Sequence, residues 1–441
     1  MTISFFDLSK MTSAERDQLL KRTEADLSSF EEKVKPIIEA VRLEGDAALA
    51  RFARQFDKSP VEPDAVAASA EDFARAEKTL DPEVREALAF MAGSIRRFHE
   101  DQKPEEMWFH EIRPGVFAGD RTTAIPSVAC YIPRGKGAFP SSVLMQAIPA
   151  SVAGVKQICI ITPPGPDGHI DDATLVAARM AGVSKVYKAG GAQGIAAVAY
   201  GTETVPKCTK VVGPGSPWVG AAKRLVSHLI DVGTPAGPSE LIVLADDTAD
   251  GRLAGLDLII ESEHGPDSSA FLVTWSAKVA QDAMAAIPEF WKQMGAQRVD
   301  YSAAVLGGPM GGIVLARDEA EAIAFCNDYA PEHLGVHSDE PFQYLGRLEN
   351  AGEILLGRHT PPTLGNFVIG VNHVLPTSGW AKTGSPLTVY DFMKRTSVAY
   401  VTGKAYPELA RHAEVISKYE GFDGHANAVS ETRARLLRTN R

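Results

Sequence analysis

Glu261 and His264 stand three residues apart in "GLDLIIESEH", whose helical apolar spacing sets both side chains on one face. A carboxylate and an imidazole at that interval suit a divalent metal, although a solvated helix end holding a histidine meets the same spacing. Glu332 and His333 are adjacent in "DYAPEHLGV", directly after Pro331, which disfavours helix for the residue before it and places the pair at a strand entry. There a carboxylate can position or activate water, and an imidazole can accept an alcohol proton near neutral pH. As an isolated dipeptide, a solvated glutamate beside a half-buried histidine is the commoner arrangement. His373 in "GVNHVLPT" and His425 in "FDGHANAV" add imidazoles, and two imidazoles with one carboxylate suit zinc where they converge in space.

Other chemistries find less support. Cys130, Cys159, Cys208 and Cys326 are far apart and form no CxxC, which indicates buried free thiols rather than a zinc knuckle or a disulfide framework. Cys326 precedes His333 by seven residues, but nothing around it supplies an acyl-transfer context. Gly-rich turns recur as "KAGGAQG", "VVGPGSP", "PAGPSE" and "LGGPMGG", and none is a GxGxxG or a GxxxxGK[ST]. "GPGSP" does follow a strand and open a helix, where free backbone N–H groups can hold an anion, a pyrophosphate included.

The elements that must position these residues read as two series. Residues 10 to 100 are helical and charged. Beyond them, "SVACYIP", "QICIIT", "SKVYKA" and "TKVVGPG" alternate with "DDATLVAARMAG" and "GAQGIAAVAYG" as a βαβ series. "ELIVLAD" opens a second series that runs through "SSAFLVTW" to "AEAIAFCNDYAPEHLGVHS". Apolar strands without polar alternation imply parallel sheets covered on both faces, hence an α/β chain of two doubly wound units. The stretch "ARHAEVISKYEGFDGHANAVSETRARLL" is helical and reads as an appendage that docks elsewhere.

Bulk properties bound the reading. A chain of 441 residues, 45% hydrophobic and 23% charged, is ordinary globular material for two domains. Its formal net charge of -11 argues against nucleic-acid or anionic-membrane partners. The start "MTISFFDLSKMTSAERDQLL" has no basic region followed by an apolar run, and no window reaches membrane-spanning length, so a soluble cytoplasmic protein is expected.

Taken in order, "PAGPSELIVLADDTAD", "DLIIESEHGPDS", "DYAPEHL", "NHVLPT" and "GHANAV" resemble the histidinol dehydrogenase family, as do "CYIP", "GGAQGIAAVAYGT", "VVGPG" and "AAKR" before them. The resemblance implies a zinc-containing, NAD-dependent dehydrogenase that oxidises an alcohol through an aldehyde to a carboxylate in two hydride transfers. It implies two incomplete Rossmann-like, doubly wound domains in an intertwined homodimer. The expected parts are a helical N-terminal extension over 1–29, a zinc and catalytic domain over 30–126 plus 239–385, an NAD domain over 127–238 and a dimerisation tail over 386–441. Carried over by position, Glu332 would activate water and His333 would take the hydroxyl proton. Glu261, His264, Asn366 and His425 would ligate zinc, His425 from the tail of the second subunit. Ser239, His373 and Glu420 match substrate contacts, Glu420 again from the second subunit, and Tyr131, Gln193 and Ser216 match nucleotide contacts.

The chain departs from that family pattern at the metal and the substrate. The family's Gln-x-x-His is here Glu261-Ser-Glu-His264, and its Gly-Asp-Tyr is "GNF", so a carboxylate and an amide have exchanged places and Asn366 is either a weak carbonyl ligand or replaced by water. A family Glu four residues earlier is Pro362, and Ser216 replaces an Asn. Carboxylates that would meet a cationic amino alcohol are lost, while Arg358 and His359 in "GRHTPPTLGNF" and Lys136 in "YIPRGKG" add basic groups. An anionic diol is therefore expected, with Arg358 among its contacts. One branch of the family oxidises 2,3-dihydroxypropane-1-sulfonate to sulfolactate, and that is the expected reaction; L-histidinol or another small polyol is the alternative.

Overall fold

Runs such as Glu240–Ala245 and Ser269–Thr274 are buried at every position, which only a sheet covered on both faces allows. The computed structural model describes residues 2–21, 27–134 and 137–439, and Lys136 lies outside them. Its strands are β1 (Phe5–Asp7), β2 (Met107–Arg113), β3 (Val116–Ala124), β4 (Ser127–Tyr131), β5 (Gln157–Thr162), β6 (Val186–Lys188), β7 (Lys210–Val212), β8 (Glu240–Ala245), β9 (Ser269–Thr274), β10 (Gly311–Leu315), β11 (His333–His337), β12 (Glu353–Leu356) and β13 (Met393–Val401). The chain divides into two compact units, Met1–Lys103 with Ile125–Phe392, and Pro104–Ala124 with Met393–Arg441.

The first unit holds two parallel sheets. One runs β6-β5-β4-β7, and the other β1-β10-β9-β8-β11-β12. Counted from the first strand of each series, both have the order 3-2-1-4, the dinucleotide-fold order, with the fifth strand β12 present in the larger sheet only. Side chains alternate across the larger sheet: Leu241 and Val243 enter one core with Leu258 and Ile287, while Ile242 and Leu244 enter the other with Phe271 and Tyr329.

The observed parts differ from the expected boundaries. The helix Ser28–Glu44 buries Val34, Ile37, Ile38 and Val41, a helical stripe, in one core with Ala129, Ile161, Ile195 and Val219, so it covers the smaller sheet and not the larger one. The N-terminal extension is not helical throughout, because β1 pairs with β10 and extends the larger sheet. Residues 104–124 join neither parallel sheet. They pair as β2 and β3 with β13 in an antiparallel sheet of the second unit, which also carries the helices Tyr406–Tyr419, Asp423–Val429 and Glu431–Thr439. These helices leave Val415, Ile416, Phe422, Leu436 and Leu437 exposed, and Tyr419 is 90% exposed. No helix among the described residues is long and apolar enough to cross a membrane.

Candidate functional site

Glu332 and His333 sit where the chain re-enters the larger sheet. The helix Glu319–Tyr329 stops at Ala330 in the left-handed conformation (φ 53°), Pro331 follows, and His333 begins β11 between Leu241 of β8 and Glu353 of β12. His333 is 3% exposed, and its Nδ1 lies 2.6 Å from Glu353 Oε1, which fixes the ring. Nε2 lies 3.7 Å from Glu332 Oε2 and 3.9 Å from Glu261 Oε1. Glu332 Oε2 accepts the Glu240 N–H at 3.0 Å.

Glu261 and His264 converge as their spacing suggested. The helix Gly251–Ser262 is buried round most of its circumference rather than amphipathic, and Glu261 in its last turn is 1% exposed. The His264 Nδ1 lies 3.1 Å from the Ile260 carbonyl and 3.2 Å from Glu261 Oε2. With Nδ1–H donating to that carbonyl, the Nε2 lone pair is left for another partner. Asn366, on the short helix Pro362–Phe367, donates Nδ2–H to Glu261 Oε1 at 2.9 Å, while its Oδ1 is buried without a partner. The Asn366 carbonyl accepts from His373 Nδ1 at 2.7 Å, which ties His373 to the same cluster.

Charges here act strongly on one another. Burial opposes a charged ring at His333, but Glu261, Glu332 and Glu353 outweigh it and push its pKa up to about 10. Burial lifts the Glu332 carboxyl well above the usual range, with Glu261 adding to the effect against the pull of His333. At Glu261 burial is overcome by His264, His333 and the Asn366 amide, so its carboxylate form is favoured. Burial takes His373 down to about 4.

The smaller sheet presents its C-terminal edge to the same crevice. Tyr131 ends β4, and its hydroxyl accepts the Gly191 N–H at 3.2 Å, two residues before Gln193 on the helix Gly191–Tyr200. After β7 the turn at Gly213 has φ +110°, and a Cβ there would lie 2.3 Å from the Tyr131 carbonyl, so only glycine fits. Lys223 clamps that turn by donating to the Gly213 carbonyl at 2.6 Å. Ser216 stands at the N-terminus of the helix Pro217–Val226, yet its side chain caps nothing there. A crevice of about 520 Å³ is lined by Tyr131 and Ser216 from this side and by Ser239 and His264 from the other.

Arg358, expected among the substrate contacts, lies apart from this cluster. It follows β12 at the C-terminal edge of the larger sheet, the end opposite His333, where its guanidinium pairs with Asp339. Four strand residues at roughly 3.3 Å each separate the two edges by about 13 Å, so Arg358 is not brought to the site. His425 and Glu420 lie exposed in the second unit, on the helix Asp423–Val429 and at the end of Tyr406–Tyr419. Among the described residues no three His, Cys, Asp or Glu side chains converge to hold a metal, so within the first unit Glu261 and His264 stand with an amide beside them. Sequence reasoning also missed Glu353, which reaches His333 only through strand register, and Arg134 and Arg298, which line the crevice.

Two parallel sheets of dinucleotide-fold order, meeting at a crevice that an imidazole and carboxylates adjoin, make a site suited to a dinucleotide and to proton transfer. The family model for histidinol dehydrogenase matches residues 20–433. "Histidinol dehydrogenase homolog 2" of Mesorhizobium japonicum is 60% identical over 435 residues, 99% of each chain. Histidinol dehydrogenase of Synechocystis sp. is 46% identical, over 96% of this chain and 98% of its own. The crystal structure of histidinol dehydrogenase from Elizabethkingia anophelis superposes with a TM-score of 0.92 at 30% identity, covering 100% of this chain and 99% of that one. The chain belongs to the histidinol dehydrogenase family, and it is an enzyme.

Proposed function

We propose that this enzyme is a zinc- and NAD-dependent dehydrogenase that oxidises a primary alcohol through an aldehyde to a carboxylate, with 2,3-dihydroxypropane-1-sulfonate as preferred substrate and sulfolactate as product. The observation that carries the dehydrogenase reading is His333, gripped by Glu353 at 2.6 Å and aimed between Glu332 and Glu261. Glu261, the His264 Nε2 and the orphan Asn366 Oδ1 fit a zinc ion, an oxygen and nitrogen donor set whose unpartnered carbonyl has no other use in the fold. His425 would complete that set from the tail of a second copy, and the exposed apolar face around Tyr419 suits such docking in a homodimer.

Bound zinc would polarise the oxygen of the alcohol and then of the aldehyde, and bound NAD would accept the hydride. The chain's own residues do the rest. Glu353 holds the His333 ring so that Nε2 faces the reacting oxygen and receives its proton. A cation held by Glu261 would weaken one of the carboxylate attractions that keep His333 protonated, and so favour the neutral ring that can take the proton. Glu332, anchored by the Glu240 N–H, orients the water that attacks the aldehyde. Ser239 and His373 face the substrate, with Glu420 reaching it from the second copy, and Tyr131, Gln193 and Ser216 face the nucleotide.

Asn366 and Pro362 support an anionic substrate, since neither offers the carboxylate that an ammonium group requires. The 46% identity to a histidinol dehydrogenase favours L-histidinol as the second reading. NADH formation with each compound separates them: the sulfonated diol is expected to give the higher kcat/KM, and turnover of histidinol alone overturns the assignment. Two NADH per diol marks the full oxidation, whereas one removes the role of Glu332.

A further inference from the structure

Residues 368–379 follow the helix Pro362–Phe367 as an irregular loop, and polar groups along it bind to both halves of the first unit. Asn372 is 2% exposed, and its Nδ2–H donates to the Met145 carbonyl at 2.6 Å. Met145 lies in the helix Pro140–Ala153, which packs on β4 and β5 of the smaller sheet. Its carbonyl is open because Pro149, four residues on, stands inside the helix and has no N–H to give it. The loop supplies the donor that the helix lacks. Asn372 Oδ1 accepts the Val374 N–H at 2.9 Å, and the second amide hydrogen faces His99 Nε2 at 3.4 Å. His99 is 0% exposed, and its Nδ1 lies 2.8 Å from the Ile95 carbonyl, so Nδ1–H donates there and Nε2 is the acceptor. Burial lowers the His99 pKa, which keeps the ring neutral and that lone pair available.

The rest of the loop is fastened to the larger sheet. His373 Nδ1 donates to the Asn366 carbonyl at 2.7 Å, while its Nε2 lies 3.3 Å from Ser142 Oγ, one turn before Met145. Leu375 abuts Gly352, where a Cβ would lie 3.2 Å from the Leu375 Cβ and 2.5 Å from the Glu332 carbonyl. Thr377 Oγ1 accepts the Gly237 N–H at 2.8 Å, and the Ser378 N–H donates to Glu240 Oε1 at 2.9 Å. Glu240 is the residue whose own N–H anchors Glu332. Residues 372–378 therefore run from a helix of the smaller-sheet half to the carboxylate beside His333. A hydride passes between atoms held by different halves, so an error in their spacing falls on the rate and not on what either half binds.

We infer that Asn372 is a positioning residue for the dehydrogenation: through Met145 it sets the spacing between the half that would hold the nucleotide and the half that would hold zinc and alcohol. The inference rests on the zinc and NAD reading above. Asn372→Ala should lower kcat about 10- to 100-fold, the effect of a misplacement of order 1 Å. Zinc content and calorimetric affinity for ADP-ribose, the part of NAD that lacks the nicotinamide, should stay at wild-type values. The variant should also melt lower, because the Met145 carbonyl is left buried and unpaired. Pro149→Ala separates the two effects, since its new N–H restores the helical partner of Met145. In the double variant Asn372→Ala, Pro149→Ala the melting temperature should return while kcat stays low. Pro149→Ala alone should keep kcat within about twofold, because a carbonyl accepts two hydrogen bonds. Recovery of kcat along with the melting temperature would leave Asn372 a purely structural role and overturn the inference, as would a loss in Pro149→Ala alone as large as in the double variant. A wild type that neither binds ADP-ribose nor reduces NAD overturns the NAD reading, and this inference with it.

Discussion

The two parallel sheets share one strand order and use opposite edges. The smaller presents the C-terminal ends of its strands to the crevice, with Tyr131 after β4 and the Gly213–Ser216 turn after β7. This is the edge where ligands of open α/β sheets ordinarily bind. The larger presents its N-terminal edge: Ser239 precedes β8, Ser268 precedes β9, and His333 and Glu353 open β11 and β12. Its own C-terminal switch point is filled. Asp246 there accepts from Thr248 and from the Tyr344 hydroxyl at 3.0 Å, and Arg358 pairs with Asp339 beyond it. The difference follows from what each edge supplies. Glycine turns and helix starts bring backbone N–H groups, which suit a phosphate chain. Strand entries and a helix end bring ionisable side chains, which suit proton transfer and a metal.

The largest effect should come from the N-terminal edge. His333→Gln is expected to lower kcat by about 10³-fold, within the range for loss of a general base, with ADP-ribose affinity unchanged; a rate near wild type removes His333 from the chemistry. Glu261→Ala should abolish stoichiometric zinc, measured by elemental analysis of the purified protein, and again leave ADP-ribose binding intact. If nucleotide binding fell with the metal, the two edges would not be separable devices. Glu353→Gln keeps the ring's shape but weakens its anchor, and should cost kcat about 10- to 100-fold, the usual toll for a partner that orients an imidazole.

How much of this was legible depends on burial. Strands β4 to β9 and β11 stand out as apolar runs because both faces are covered. β2, β3 and β13 carry exposed and charged positions along half-open antiparallel strands, so no apolar run betrays them. The Glu332-His333 pair was legible through Pro331, but Glu353 was not, because nothing near it differs from any strand-opening glutamate until register sets it beside His333. Arg358 misled for the opposite reason. It is close in sequence to Asn366, yet Asn366 lies on the helix Pro362–Phe367, beyond the turn that takes the chain back from the edge where Arg358 pairs with Asp339.

A buried carboxylate in the smaller-sheet half makes a milder test, because its partners are all protein. Asp72 accepts from Ser69 N–H at 3.0 Å and meets His169 at 3.0 Å, Arg75 at 3.1 Å and Lys188 at 3.6 Å. Burial alone would raise its pKa, but these partners take it from 3.8 down to about 2. A folded pKa below the unfolded one stabilises above pH ~4 and loses that contribution as pH falls through about 2. Asp72→Asn should therefore cost about 1–2 kcal/mol at neutral pH after allowance for screening, read from denaturant melts, and the gap to wild type should close near pH 2. A gap independent of pH would mean packing, not charge, holds the start of the helix Ala70–Thr79.

The smallest effect is the most pointed. Arg358→Ala removes a half-exposed ion pair to Asp339 at the filled C-terminal edge, worth roughly 0–1 kcal/mol. The proposed chemistry lies at the other end of the larger sheet's strands, so kcat, the alcohol KM and the preference for sulfonate over histidinol should all stay within about twofold, less than the ~1.4 kcal/mol that a tenfold change requires. A selective loss of the sulfonated diol in Arg358→Ala would show that the C-terminal edge reaches the substrate after all. The contrast between the edges would then describe only where each sheet's strands begin and end, and not where its chemistry is done.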